Sequence, residues 1–525
     1  MDKKWIIKDR GETSVVLRLA GELGVSESLA NLMVQRNINS PKEAHTFFHP
    51  SLDDLHDPFL LKDMNIAVDR LSTAIKRNEK ILVYGDYDVD GTTAVALVYS
   101  FLKCQYPNVE YYIPDRYKEG YGVSFQGLDH AYNNNCKLVI TLDCGIKAVE
   151  KIQYARSKGI DVIVCDHHYP GVEIPKAIAV LDPKQPGCNY PYKELSGCGV
   201  GFKLIHAYSK IHGIPFSEIT HFLDLVAVSI ASDIVPITGE NRVMAYFGLK
   251  QLNESPRTGL REIIKEAEIF RVLTVEDIVF KIGPRINAAG RMETGSRAVE
   301  LLISNDTKLA TGISKEINSY NLERRTVDRV ITTEAMRMIS EDQRNVNAKT
   351  TVLYNPSWKK GVIGIVASRL IETYYRPTVI LTESNGFATG SARSVQGYDL
   401  YQAIEACSDL LESFGGHMFA AGLTLKKENI KPFMERFEQF VNNTINDDQL
   451  IPRIIVDSEL GFSEINEEFF KVMSQFQPYG PENMSPVFVS RNVYDSGSGR
   501  MVGSNGEHLK LDLCQEMPAL KSLPG

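Results

Sequence analysis

Between residues 80 and 181, short apolar runs alternate with helix-like ones, and most of the apolar runs end in charge. Residues 81–84, 109–113, 137–142, 161–165 and 177–181 read as strands, and 92–104, 124–132 and 147–158 as helices. Strands this continuously apolar must be covered on both faces, which predicts a mostly parallel sheet with helical connections, an α/β fold. Open sheets of that kind bind ligands beyond the carboxyl ends of their strands. Those ends carry Asp86, Asp88 and Asp90, then Asp115 and Arg116, then Asp143, then Asp166, His167 and His168. An apolar helix over 222–233 ends in Asp233, which can reach the same rim.

Asp86, Asp88 and Asp90 are spaced by two and followed by Gly91. In extended backbone, residues i, i+2 and i+4 share a face. Three carboxylates on one face repel one another unless a cation sits among them. The run opens like an EF-hand loop, but the twelfth position is Leu97 rather than glutamate, and the run follows a strand rather than a helix. Capping the next helix would need only one aspartate. With His167 and His168 added, the rim offers mixed carboxylate and imidazole ligands, which suit manganese and, less exclusively, magnesium. Two divalent ions about 3.5–4 Å apart hydrolyse phosphoesters, activating water and neutralising charge on the phosphate.

At 525 residues the chain exceeds a single core. Its formal net charge of -8 excludes a uniformly basic nucleic-acid binder but leaves room for a local basic channel. None of the eight cysteines forms a C-x-x-C pair, so they read as small core residues of a reducing compartment. No apolar leader follows Met1, and the most apolar stretch, 223–231, is too short to span a bilayer and contains Asp224. A cytoplasmic, membrane-free protein is expected.

Five regions are expected. Residues 1–45 form a helical lead-in with capping Ser26 and Ser40, and 46–305 carry the charged sheet. A long connecting helix fills 306–345, its stripe running from Leu309 and Ile313 to Ala335 and Met338 with Arg324 on it. A smaller α/β unit covers 346–447 and contains a glycine-rich tight turn at 415–422. A β-domain takes 448–525. Residues 281–297 hold Lys281, Arg285, Arg291 and Arg297 against Glu293, a basic stretch suited to phosphate.

The runs around Asp86–Gly91, Asp143-Cys-Gly, Asp166-His-His and Ser232-Asp233 resemble the motifs of the DHH phosphoesterase superfamily. Those at 283–291, 361–369, 390–394 and 415–422 resemble its RecJ branch, the bacterial single-strand-specific exonucleases. This resemblance implies a DHH domain, a DHH-associated domain and an OB-fold-like domain. It implies a metal-dependent 5′-to-3′ exonuclease that degrades single-stranded DNA to 5′-mononucleotides in recombination and repair. Asp88, Asp90, Asp143, His167 and Asp233 would be metal ligands, Asp143 bridging, with Asp86 a ligand or one shell behind. Two divalent cations, Mn²⁺ before Mg²⁺, are implied. His168 would contact the scissile phosphate, and Arg116, Ser391 and Arg393 would hold the 5′-phosphate. Arg285, Asn287 and Arg291 would line the entry path, and His417 could donate to a phosphate. A 5′-ended single strand, single-strand-binding protein and a RecQ-type helicase are the implied partners of a monomer. The chain departs from the family pattern at Lys359, where histidine is usual, at Ala392, where glycine is common, and after Leu513, where a shortened tail would leave the barrel open. A phosphatase of dinucleotides or other small phosphoesters is the alternative enzyme, and a catalytically silent DNA-binding scaffold the alternative outside enzymes.

Overall fold

The protein is described by a computed structural model covering residues 3–292 and 294–516. It divides into two units, Leu52–Pro452 and a second in which Lys3–Ser51 joins the segment from Arg453 on. The first strand, β1 (Lys4–Ile7), belongs to the second unit.

The first unit begins its sheet with β2 (Lys80–Gly85), β3 (Val109–Tyr112), β4 (Cys136–Leu142), β5 (Asp161–Cys165) and β6 (Ala179–Leu181). All pairings are parallel, in the order β3-β2-β4-β5-β6. The apolar runs are continuous because the strands serve two cores. Ile81 and Val83 pack into one cluster, while Leu82 and Tyr84 pack into another on the opposite face. The chain leaves β2 toward β3, then returns to place β4 on the other side of β2. That reversal lies between β2 and β4, where open sheets form their ligand crevice.

The helix Thr307–Glu341 has 35 residues, its N-terminus capped by Asp306. At 1.5 Å per residue it is about 50 Å long. Its early stripe (Ala310, Ile313, Ile317) completes the core beside the first sheet. Its late stripe (Ile331, Ala335, Ile339) packs with Leu353, Trp358 and Ile380 of the second sheet. One amphipathic face thus serves two cores, as the spacing predicts.

The second sheet contains β7 (Thr351–Tyr354), β8 (Thr378–Ser384), β9 (Phe387–Arg393), β10 (Leu411–His417) and β11 (Ala420–Leu425), in the order β10-β11-β9-β8-β7. Only β7 and β8 run parallel. Two features differ from the sequence reading. The glycine-rich run at 415–422 confines its tight turn to residues 418–419, the rest being two paired strands, with Gly415 opposite Gly422 and His417 opposite Ala420. Strand β9 was not expected at all. Its buried side is Ala388, Gly390 and Ala392, so it lacks the large apolar residues that signal a strand.

In the second unit, Ser26 and Ser40 cap the helices Glu27–Val34 and Pro41–Phe48 as expected. The helical lead-in also includes Thr13–Leu23, and the unit holds one helix where strands alone were expected, Glu467–Gln475. Strand β1 pairs in parallel with β12 (Arg453–Val456), so residues from both ends of the chain build one element. Short pairs follow: β13 (Ser458–Glu459) with β14 (Phe488–Val489), β15 (Val493–Asp495) with β18 (Leu513–Gln515), and β16 (Arg500–Val502) with β17 (His508–Lys510). The core joins Leu29, Leu32 and Met33 to Leu460, Phe469 and Phe476. The expected shortening of the tail concerns residues beyond 513, of which 517–525 lie outside the described residues.

Candidate active site

The three clustered aspartates do not share a strand face, because β2 ends at Gly85. Asp86 follows in the loop, Asp88 is the extended N-cap of the helix Val89–Gln105, and Asp90 lies in that helix's first turn. Asp88 does what the bland reading required, its Oδ1 accepting from Gly91 N at 3.0 Å. Asp90 is tied inward: Oδ2 accepts from Gly197 N and Oδ1 from Cys198 N and Ser229 Oγ, each at 2.7 Å. Asp86 is fully buried, its Oδ1 3.5 Å from Gly122 N and its Oδ2 without a hydrogen-bond partner.

Asp143 follows β4 in the left-handed region, φ 59°, with its N–H donating to Cys165 O at 2.9 Å. This turn aims its carboxylate at His167. Gly197 allows the approach, since a Cβ there would stand 2.6 Å from the Asp143 Cβ. His167 Nε2 lies 3.2 Å from Asp143 Oδ1, 3.6 Å from Asp233 Oδ2 and 3.7 Å from Asp90 Oδ2. Two sets have ligand atoms close enough to share a cation: Asp90, His167 and Asp233, and Asp143, His167 and His168. The sequence-derived centre therefore assembles from the ends of β2, β4 and β5 and one helix.

Its electrostatics are unfavourable without a cation. Burial pushes the carboxyl groups of Asp86, Asp90, Asp143 and Asp233 upward, and the neighbouring carboxylates add to it. Burial also lowers the pKa of His167, favouring the neutral imidazole that binds metals. Its Nδ1 is buried without a partner.

Asp166 has a different task. Its carboxylate accepts from the backbone N–H of Ile146, His167 and His168, and from His168 Nδ1 at 2.7 Å. Burial alone would lower the His168 pKa, but the Asp166 hydrogen bond and charge outweigh it and push the value up to about 9. His168 Nε2 lies 3.4 Å from Tyr121 Oη.

Tyr121 leads to a second region. It lines a cavity of about 440 Å³ with Tyr87, Arg116, Arg291, Lys360, Ser391 and Arg393. Among the described residues lining it there is no carboxylate. The Arg116 guanidinium lies 4.8 Å from the Tyr87 ring centroid. Arg291 Nη1 donates to Gly361 O at 2.7 Å, and Tyr117 Oη donates to Arg291 O at 2.6 Å. Burial first, then Arg116, Arg324 and Arg393, push the Arg291 pKa down to about 9. Arg393 Nη1 donates to Ser391 Oγ at 3.0 Å. A Cβ at Gly364 would meet Ser391 Oγ at 2.9 Å and Arg393 Nη2 at 3.0 Å, so glycine lets the helix Ile363–Tyr374 start against them. A helix N-terminus beside unpaired cations favours an anion.

Not every expected residue reaches this cavity. Arg285 donates to Asn318 Oδ1, Lys281 O and Glu266 O, which fastens it to neighbouring helices. Asn287 is half-buried on the same helix as Arg291 and does not line the cavity. The basic stretch is largely spent on ion pairs, Lys281 with Asp277 and Arg297 with Glu300 and Glu316. Glu293 lies outside the described residues. His417 is exposed at the end of β10, its Nδ1 accepting from Phe419 N at 3.3 Å, and burial and Arg393 lower its pKa. At the departure from the family pattern, Lys359 pairs with Glu323 at 3.0 Å, while Lys360 enters the cavity. Sequence reasoning gave Tyr87, Tyr121, Ser229 and Lys360 no role, and it placed Asp166 on the rim without its task of orienting His168. For Tyr121 a signal existed in its flanking glycines, Gly120 and Gly122, both at positive φ.

Residues 80–230 match the DHH family N-terminal domain, 347–443 the DHHA1 domain and 456–523 the RecJ OB domain. The single-stranded-DNA-specific exonuclease RecJ of Bacillus subtilis is 38% identical over 98% of this chain, which spans 65% of that relative's length. The Escherichia coli protein of the same name is 32% identical over 82% of this chain and 78% of its own. The crystal structure of Thermus thermophilus RecJ with Mn²⁺ superposes with a TM-score of 0.82 at 26% identity, covering 99% of this chain and 75% of that one. No helix among the described residues is long and apolar enough to cross a membrane. An acidic rim at the switch point of a parallel sheet, a cationic cavity beside it and these likenesses together establish that the chain belongs to the RecJ family.

Proposed function

We propose that this chain hydrolyses single-stranded DNA from its 5′ end, releasing 5′-mononucleotides. The observation that carries this reading is the junction at Tyr121, which touches His168 on one side and lines the cationic cavity on the other. A terminal phosphate held in that cavity leaves the next phosphodiester at the acidic centre.

The acidic centre fits divalent cations: buried carboxylates repel one another, and Asp86 Oδ2 and His167 Nδ1 have no protein partner. Asp88, Asp90, Asp143, His167 and Asp233 would hold them, with Asp86 behind. The family members crystallised with Mn²⁺ and Mg²⁺ support that choice of ion. Bound there, such ions supply a more acidic water and neutralise charge on the phosphate. The chain supplies the positions. Arg116, Arg291, Ser391 and Arg393 bind the 5′-phosphate through charge-assisted hydrogen bonds. His168, oriented by Asp166, presents Nε2 for a proton to reach the departing O3′. The same reading places the protein in the cytoplasm as a monomer in recombination and repair, with single-strand-binding protein and a RecQ-type helicase as partners.

The test is a 3′-labelled, 5′-phosphorylated single strand incubated with the protein and Mn²⁺. The label should move down a ladder of shortened products, while a blunt duplex survives. Shortening only from the 3′ end would overturn the reading.

A further inference from the structure

We infer that Tyr169 and Lys184 seat the nucleotide on the 3′ side of the cut, Tyr169 by stacking its base and Lys184 by binding the phosphate that follows it. The inference deepens the exonuclease reading and rests on it.

Strand order carries the argument. Along the carboxyl rim, β3 is followed by Arg116, β2 by Asp86–Asp90, β4 by Asp143, β5 by His167 and His168, and β6 by Asp182 and Lys184. Adjacent strands are roughly 4.8 Å apart, so the rim extends about 19 Å from the β3 edge to the β6 edge. The cationic cavity lies at the β3 end and the acidic centre at the middle. A single strand whose 5′ end is held by Arg116 and cut at His168 can continue along the rim toward β6.

That edge carries suitable groups. Tyr169 directly follows His168 and is 70% exposed, an unusual position for a large ring. Lys184 Nζ lies 4.9 Å from its ring centroid, which covers one face and leaves the ring exposed to a base. Lys184 Nζ also donates to Glu194 Oε2 at 3.0 Å, and its backbone N–H donates to Asp182 Oδ1 at 2.7 Å. An ammonium has three donors, so the Glu194 contact leaves two, on a side chain that is 11% exposed. An aromatic face beside a cation is the arrangement that binds single strands without reading sequence.

The two residues should fail differently. A 5′-phosphorylated dinucleotide has the base that Tyr169 would stack but lacks the phosphate that Lys184 would bind; a trinucleotide has both. With Mn²⁺ present, Tyr169→Ala should lower kcat/KM on both substrates by about tenfold, the size of one lost base–aromatic stack. Lys184→Gln should lower it at least fivefold more on the trinucleotide than on the dinucleotide. It should also flatten the salt dependence of trinucleotide binding by about 0.7 in log–log slope, one phosphate contact. Equal losses from Lys184→Gln on the two substrates, or no loss from Tyr169→Ala, would overturn the inference while leaving the exonuclease reading intact. Failure of the unsubstituted protein to cleave from the 5′ end would overturn both.

Discussion

The acidic centre and the cationic cavity are opposite solutions to one problem, and a third site shows the contrast. Deep in the first unit, Lys203 and Glu240 are both buried, and they bond each other. Glu240 further accepts from Tyr190 Oη and His56 N, so its charge is matched inside the protein. The two functional regions are not matched. One gathers aspartates that raise each other's pKa, the other arginines that lower Arg291's. Buried charge that serves the fold is paired; buried like charge must be completed by something from outside. On the proposed function, a single molecule with a 5′-phosphate and a phosphodiester, together with divalent ions, would complete both.

The acidic half should break hardest. Asp143→Asn removes a carboxylate that faces His167, and hydrolysis should fall on the order of a thousandfold or more, about 4 kcal/mol of barrier. Mn²⁺ should raise the Tm of the unsubstituted protein, and the same substitution should abolish that rise. Hydrolysis within tenfold of normal would remove Asp143 from the centre. Next comes the orienting bond: Asp166→Asn should lower kcat by about 10–100-fold, the usual cost of losing such a partner, with KM nearly constant. A change confined to KM would show that Asp166 does not act through His168.

The cationic half should show in substrate preference. Arg393→Ala should raise KM for 5′-phosphorylated strands by about 10–100-fold, one charge-assisted hydrogen bond, and should change 5′-hydroxyl strands much less. Equal effects on both ends would place the phosphate elsewhere. The smallest effect concerns stability without metal. Burial and mutual repulsion raise the folded-state pKa of Asp86, Asp143 and Asp233 above the ordinary 3.8. Such groups contribute stability below the unfolded pKa and lose it as pH rises through the folded value. Metal-free Asp143→Asn should therefore melt higher than the unsubstituted protein at neutral pH, with the gap closing as pH falls. A gap that widened on acidification would contradict like-charge repulsion in the centre.

Most of the site's acidic half was legible in the sequence, because strand ends in a parallel sheet share a rim wherever the strands lie. That rule put Asp143 and His167 on the rim; Asp233 came from the end of an apolar helix, and the ligand roles came from the family resemblance. The geometry of the aspartate run was misread, since local spacing does not say where a strand stops; the helix beginning at Val89 ends it. The second sheet was less legible. Strand β9 holds Ser391 and Arg393, but it buries only small residues and so carries no apolar pattern. Arg285 and Arg291 are both arginines in one basic run, yet one is fastened to neighbouring helices and the other reaches the cavity.

The sequence by itself determined the α/β class, the long helix and the chemistry of the rim, because burial on both faces, helical spacing and charge at strand ends are local patterns. Only the tertiary structure decided which like charges stay unpaired, that Tyr121 joins the two regions, and that Tyr169 and Lys184 share the β6 edge. Those facts depend on strand order and on contacts between distant residues, which no local pattern contains.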